Sequence, residues 1–149
     1  MKTKLFLLLA MAALIAPASV QAACPTPIYP VNQVYSPYSF HVQTRLYPVG
    51  NSGISGLVDL LQLPRGGTRI IVNAFGLVPG SAHVSLYYGN RTCALEPYSL
   101  QSVVGGIYSA NAGYVGATMG FVPANLNMIY SVSVREAGTF ALQACAMVH

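Results

Sequence analysis

The sequence predicts an all-β domain, a Greek-key β-sandwich or flattened barrel of about seven or eight short strands with immunoglobulin-like architecture. Three observations predict it. Apolar residues recur with a period of two, Gly, Pro and Asn punctuate the chain between the runs, and no stretch combines helical spacing with caps. The stretch 67–93 shows the pattern most plainly and reads as a β-β unit. Ile70, Val72 and Ala74 share one face of a first strand, and Val84 and Leu86 share one face of a second, with Ser85 and Tyr87 opposite. Gly76-Leu77-Val78-Pro79-Gly80 turns the chain between them, and Cys93 follows as a half-cystine candidate.

Taken in order, the chain opens with Lys2 and Lys4, an apolar run over 5–15, then Pro17 and small residues ending Val20-Gln21-Ala22-Ala23. This is the pattern of a secretory signal peptide over 1–22. The run is shorter than the ~20 apolar residues of a membrane helix, and no second candidate follows, so no membrane span is expected. Small residues at the expected spacing put cleavage after Ala22, which leaves Cys24 beside the new N-terminus. A lipoprotein site would want a Leu-like residue where Gln21 stands. Export to the periplasm or beyond is the expectation.

Cleavage also changes the charge. Five arginines then face Asp59, Glu96 and Glu136, a net charge of about +2 in place of +4. The arginines are scattered, so no nucleic-acid footprint remains.

Residues 23–38 hold Pro25, Pro27, Pro30 and Pro37 among Tyr29, Tyr35 and Tyr38. Proline at that density disfavours helix and central strand, so this is an extended arm before a domain over 39–149. A strand over 39–47 turns Phe40, Val42, Thr44 and Leu46 to one face, and one over 54–63 turns Val58 and Leu60 inward and Asp59 outward. After Cys93, the stretch 94–106 carries Pro97, Gly105 and Gly106 and reads as a loop with at most one short element. A turn over 109–113, a strand over 114–121, a connection over 123–127 and strands over 129–136 and 140–148 complete the domain.

Several short strings, in order, resemble copper/zinc superoxide dismutases. They are Gly50-Asn51-Ser52-Gly53-Ile54-Ser55-Gly56, Gly76-Leu77-Val78-Pro79-Gly80, Cys93, Val134-Arg135-Glu136 and Gln143-Ala144-Cys145-Ala146-Met147-Val148. The family has a Gly-rich first hairpin, a Gly-Leu-x-x-Gly turn into the strand of copper-binding histidines, a cysteine heading a long loop, Val-His-Glu, and Leu-Ala-Cys-Gly-Val-Ile. The likeness runs from about Val42 onward. It implies the dismutase-like sandwich and a disulfide between Cys93 and Cys145, which an exported protein would keep. Cys24 is then unpaired, and a free thiol, an intermolecular bridge to a second copy and lipid attachment all stay open.

The resemblance fails at the chemistry. Where the family has histidines this chain has Ala82, Ser85, Tyr87 and Arg135. Redox copper needs several imidazoles at one centre, and a guanidinium is a permanent cation that repels a metal. The stretch 94–106 has no histidine or aspartate for zinc. No copper, zinc or other cofactor is expected. His41, His83 and His149 lack metal-motif spacing and read as surface or strand-edge side chains. Sliding His83 into a ligand position would turn Val84 and Leu86 out of the core. Arg135 is expected to fill the vacated site beside Tyr87 by stacking or hydrogen bonding. With its few carboxylates on separate elements the chain offers no acid-base pair, and no nucleophile elbow occurs.

The expected function is therefore a non-catalytic binding or structural protein for an unknown protein or extracellular ligand. Tyr29, Tyr35, Tyr38, Tyr87 and Tyr88 are the candidate contact surface. Two alternatives stand beside it: a copper-handling or residual dismutase with a rebuilt metal site, and a structural subunit linked through Cys24.

Overall fold

A computed structural model describes the backbone of residues 32–36 and 39–149, with side chains from residue 40. The signal segment, Cys24, Tyr29 and Tyr38 lie outside the described residues, as does the side chain of Tyr35. The chain forms β1 (Asn32–Ser36), β2 (Ser39–Pro48), β3 (Ser55–Gln62), β4 (Thr68–Phe75), β5 (Ala82–Tyr88), β6 (Gln101–Ser109), β7 (Val115–Val122), β8 (Ser131–Glu136) and β9 (Leu142–Met147). A single 3-10 turn, Leu126–Met128, is the only helical element among the described residues.

All pairings are antiparallel, in the order β6-β5-β8-β9-β2-β3-β4-β7, with β1 on β2. The long strand β2 joins two sheets. It pairs with β3 along most of its length, and its end, Tyr47 and Pro48, pairs with Cys145 and Ala144 of β9. The two ends of the path meet where Thr118 Oγ1 of β7 donates to the Val104 carbonyl of β6 at 3.3 Å. Glycine is required there. A Cβ at Gly120 would stand 2.2 Å from the Gly105 nitrogen, and Gly105 itself has φ +68°. The result is an all-β flattened barrel, nearly closed.

The interior follows from alternation. Val42 and Leu46 of β2, Val58 and Leu60 of β3, Ile70, Val72 and Ala74 of β4 and Val132 and Val134 of β8 point into one cluster, as the period of two predicts. The β-β unit over 67–93 folds differently from a pair of neighbours. β4 hydrogen-bonds to β3 and β7, and β5 to β6 and β8, so the 76–80 turn is a corner between the sheets. Leu77, fully buried, plugs that corner.

Two further elements differ from expectation. The stretch read as loop ends in the nine-residue strand β6. Its signal is weak because Val104 is its only buried residue and two glycines interrupt it. Within the proline-rich arm, β1 adds a strand to the edge of β2, a position that proline nearby tolerates.

Candidate functional site

β5 is buried on both faces, and this decides what Ala82, Ser85 and Tyr87 can do. Its Tyr87 packs in the barrel interior, whereas Val84, Leu86 and Tyr88 face the other way and cluster with Cys93 and Cys145. Those two cysteines are joined by a disulfide across 52 positions, which pins the 89–100 connection over the outside of β5, β8 and β9.

Arg135 lies under that cover and is 6% exposed. Its Nε donates to the Tyr88 hydroxyl at 2.8 Å, one terminal nitrogen to the Phe140 carbonyl at 2.5 Å and the other to the Cys93 carbonyl at 2.7 Å. Tyr88 in turn shares a 2.8 Å hydrogen bond with Ser133. The guanidinium stands 5.9 Å from the Tyr88 ring centroid. The expected Arg135–Tyr87 contact is thus corrected to Arg135–Tyr88. Arg135 pairs with Val84 across β8 and β5, so it shares a face with Val84 and Tyr88, and Tyr87 points the opposite way.

Ala82, Ser85, Tyr87 and Arg135, the positions that the resemblance singles out, therefore do not converge. Ala82 is exposed at the start of β5, Ser85 hydrogen-bonds the Tyr108 hydroxyl at 3.0 Å, Tyr87 fills the core, and Arg135 sits on the far face. This donor set does not fit copper, in chemistry or in placement. Among the described residues no three His, Cys, Asp or Glu side chains gather to hold a metal ion. Burial pushes the phenols of Tyr108 and Tyr87 above their ordinary range, and the Ser85 hydrogen bond partly offsets this at Tyr108.

His83 also departs from expectation, because it is buried. Its Nδ1 lies 2.9 Å from Gln143 Oε1 and its Nε2 2.6 Å from Ser81 Oγ. Ser81 also donates to the Val78 carbonyl at 2.5 Å. A serine has one proton, and the turn carbonyl competes for it. The trio is a latch from the 76–80 corner to β9, not a free nucleophile. His149 Nε2 donates to the Leu126 carbonyl at 3.1 Å, and His41 Nε2 to Asp59 Oδ1 at 3.3 Å.

The expected tyrosine surface is not available on β5. Tyr87 is 2% and Tyr88 0% exposed, because both faces of that strand are covered. A different surface takes its place. On the outside of the sheet formed by β2, β3, β4 and β7, Phe121 is 66%, Met119 52% and Phe75 41% exposed. Leu57, Leu61 and Ile71 stand half-buried between them. The register sets them in rows: Phe121 beside Arg69 beside Leu61 beside His41, and Met119 beside Ile71 beside Asp59 beside Gln43.

Three charged side chains stand on this face: Asp59, Arg69 and, beside Leu57, the exposed Arg45. Asp59 accepts from Gln43 Nε2 at 2.8 Å and from His41, both at Oδ1. Arg69 has a buried Nε with no hydrogen-bond partner among the described residues. The sequence held a signal for this face. In β7 the outward Ala117, Met119 and Phe121 alternate with Gly116 and Gly120, so the larger side chains are on the outside.

No protein-family model matches the chain, and no curated protein matches it. Among the described residues no helix is long and apolar enough to cross a membrane.

Proposed function

We propose that the chain is an exported, non-catalytic binding or structural protein, built on a superoxide-dismutase-like sandwich that has lost its copper and zinc sites. It acts by protein contact through the outer face of the β2-β3-β4-β7 sheet. One observation carries this reading: Phe75, Met119 and Phe121 are exposed together on one regular sheet face, continuous with Leu57, Leu61 and Ile71. Scattered surface hydrophobics need no explanation, but a contiguous apolar patch marks an interaction surface. Export follows from the N-terminal segment, and the Cys93–Cys145 bridge suits an oxidising compartment. The fate of Cys24 belongs to the same proposal, as a second link between copies or as a free thiol.

Methionine oxidation tests the reading with an internal control. Met119 lies on the face, whereas Met128, 48% exposed, lies in the 3-10 turn off it. In dilute purified protein both convert to sulfoxide at similar rates. In the protein's own compartment Met119 is expected to be protected several-fold relative to Met128. Equal oxidation of the two in that compartment would overturn the assignment of the face.

A further inference from the structure

We infer that the partner seated on this face is a second copy of the same chain, docked by a two-fold axis that lies in the interface and crosses the centre of the β3-β4 pair. This rests on the reading of the face given above. Two features of the face favour a copy of itself over a foreign protein.

The first is its charge pattern. Asp59 pairs with Ile71 and Leu61 with Arg69, so the four make a square with Asp59 and Arg69 at opposite corners. Both charges are partly covered, Asp59 at 27% exposure, and no ion pair joins them. A two-fold axis along the other diagonal carries each corner charge onto the other. Arg69 of one copy then meets Asp59 of the second, and the same pair repeats on the far side of the axis. Leu61 closes on Leu61 and Ile71 on Ile71. The contact brings a carboxylate to the outer edge of the Arg69 guanidinium, while its Nε stays buried beneath the face. The gain is available because Asp59 uses Oδ1 for its contacts with His41 and Gln43, leaving Oδ2 for the incoming arginine.

The second is size. Four strands ~4.8 Å apart, each presenting about seven residues at ~3.4 Å, give a flat footprint on the order of 450 Å² per copy. Two such faces, roughened by Phe121 and Met119, approach the ~1,200 Å² at the small end of specific interfaces. Sheets meeting this way cross at a large angle, as orthogonally packed sheets do.

The test uses the mature protein with Cys24→Ser, so that no thiol can link copies, followed by sedimentation velocity over a range of concentrations. A dimer is expected. Arg69→Asp and Asp59→Arg should each weaken it by about tenfold or more, since each variant sets like charges against each other at both contacts. Mixing the two variants restores complementary pairs at both contacts, so an equimolar mixture should form the heterodimer. Thermal melts of each variant verify that it is folded. The inference is overturned if the parent stays monomeric throughout, or if the mixture associates no better than its components. A monomeric parent with Met119 still protected in its compartment would sink the second copy alone. A dimer in which Met119 reacts as freely as Met128 would sink the face as well.

Discussion

Arg135 is a permanent cation in the protein interior, held by two carbonyls and a phenol. Carbonyl dipoles can satisfy a guanidinium because its donors form a rigid planar fork, and the three acceptors here come from β5, the 89–100 connection and the 137–141 turn. The side chain thereby ties three separate segments to β8. Arg135→Met leaves the Cys93 and Phe140 carbonyls without that donor and should lower unfolding free energy by about 3 kcal/mol. Arg135→Lys keeps the charge but has no fork, and should recover less than half of that loss. Urea denaturation of both variants decides it; a loss within ~0.5 kcal/mol in Arg135→Met would show that the network contributes little. Sequence alone gave this residue its importance and the wrong neighbour. Whether an arginine meets Tyr87 or Tyr88 depends on strand parity across a pair, which requires the β5–β8 register and not the spacing within either strand.

Every strand from β2 onward except β6 is legible in the sequence, but which of its faces is covered is legible only where one face is polar. β2 alternates cleanly and was expected within a residue of where it lies. β6 turns only Val104 and the partly buried Tyr108 to the core and carries no clear alternation, whereas β3 and β4 carry Leu57, Leu61 and Ile71 on the side away from the interior, so alternation does not mark the outer face as apolar. On the outer side of β5 the Cys93–Cys145 bridge packs with Val84, Leu86 and Tyr88, with Val49 and Leu142 beside them, and ties the 89–100 connection to β9. Closing a loop of 52 positions should contribute about 4 kcal/mol on the chain-entropy model. Replacing both cysteines by Ser should lower stability by that order, and should also expose Tyr88 to solvent, seen as faster hydrogen exchange along β5 than along β4. If exchange accelerated equally in both strands, the bridge would be stabilising the barrel globally instead of fastening one cover. The same double variant should show less than additive loss with Arg135→Met, because the Cys93 carbonyl is held by both.

At the scale of the molecule, no three His, Cys, Asp or Glu side chains gather among the described residues. Ala82, Ser85 and Tyr87 spread over a strand end and the core face of β5, Arg135 occupies the opposite face, and His83 is spent on the latch between Ser81 and Gln143. Ligand binding to the native state alone raises stability by mass action, about 2.7 kcal/mol at a hundredfold excess over the dissociation constant. For a domain of this size that is a rise in Tm on the order of 10 °C. The mature Cys24→Ser protein, titrated with copper(II) and separately with zinc(II), is expected to shift by less than about 1 °C. Removing Cys24 matters, because a thiol near the terminus would bind either metal without reference to the fold. A rise that saturates at one equivalent would mean that His41 or His83 leaves its present partner to build a centre, and the proposal of a non-catalytic protein would then give way to one that handles metal. A flat titration with an intact cooperative melt means that the fold persists for its surface, and Asp59 and Arg69 at the centre of its apolar face become the place to alter it.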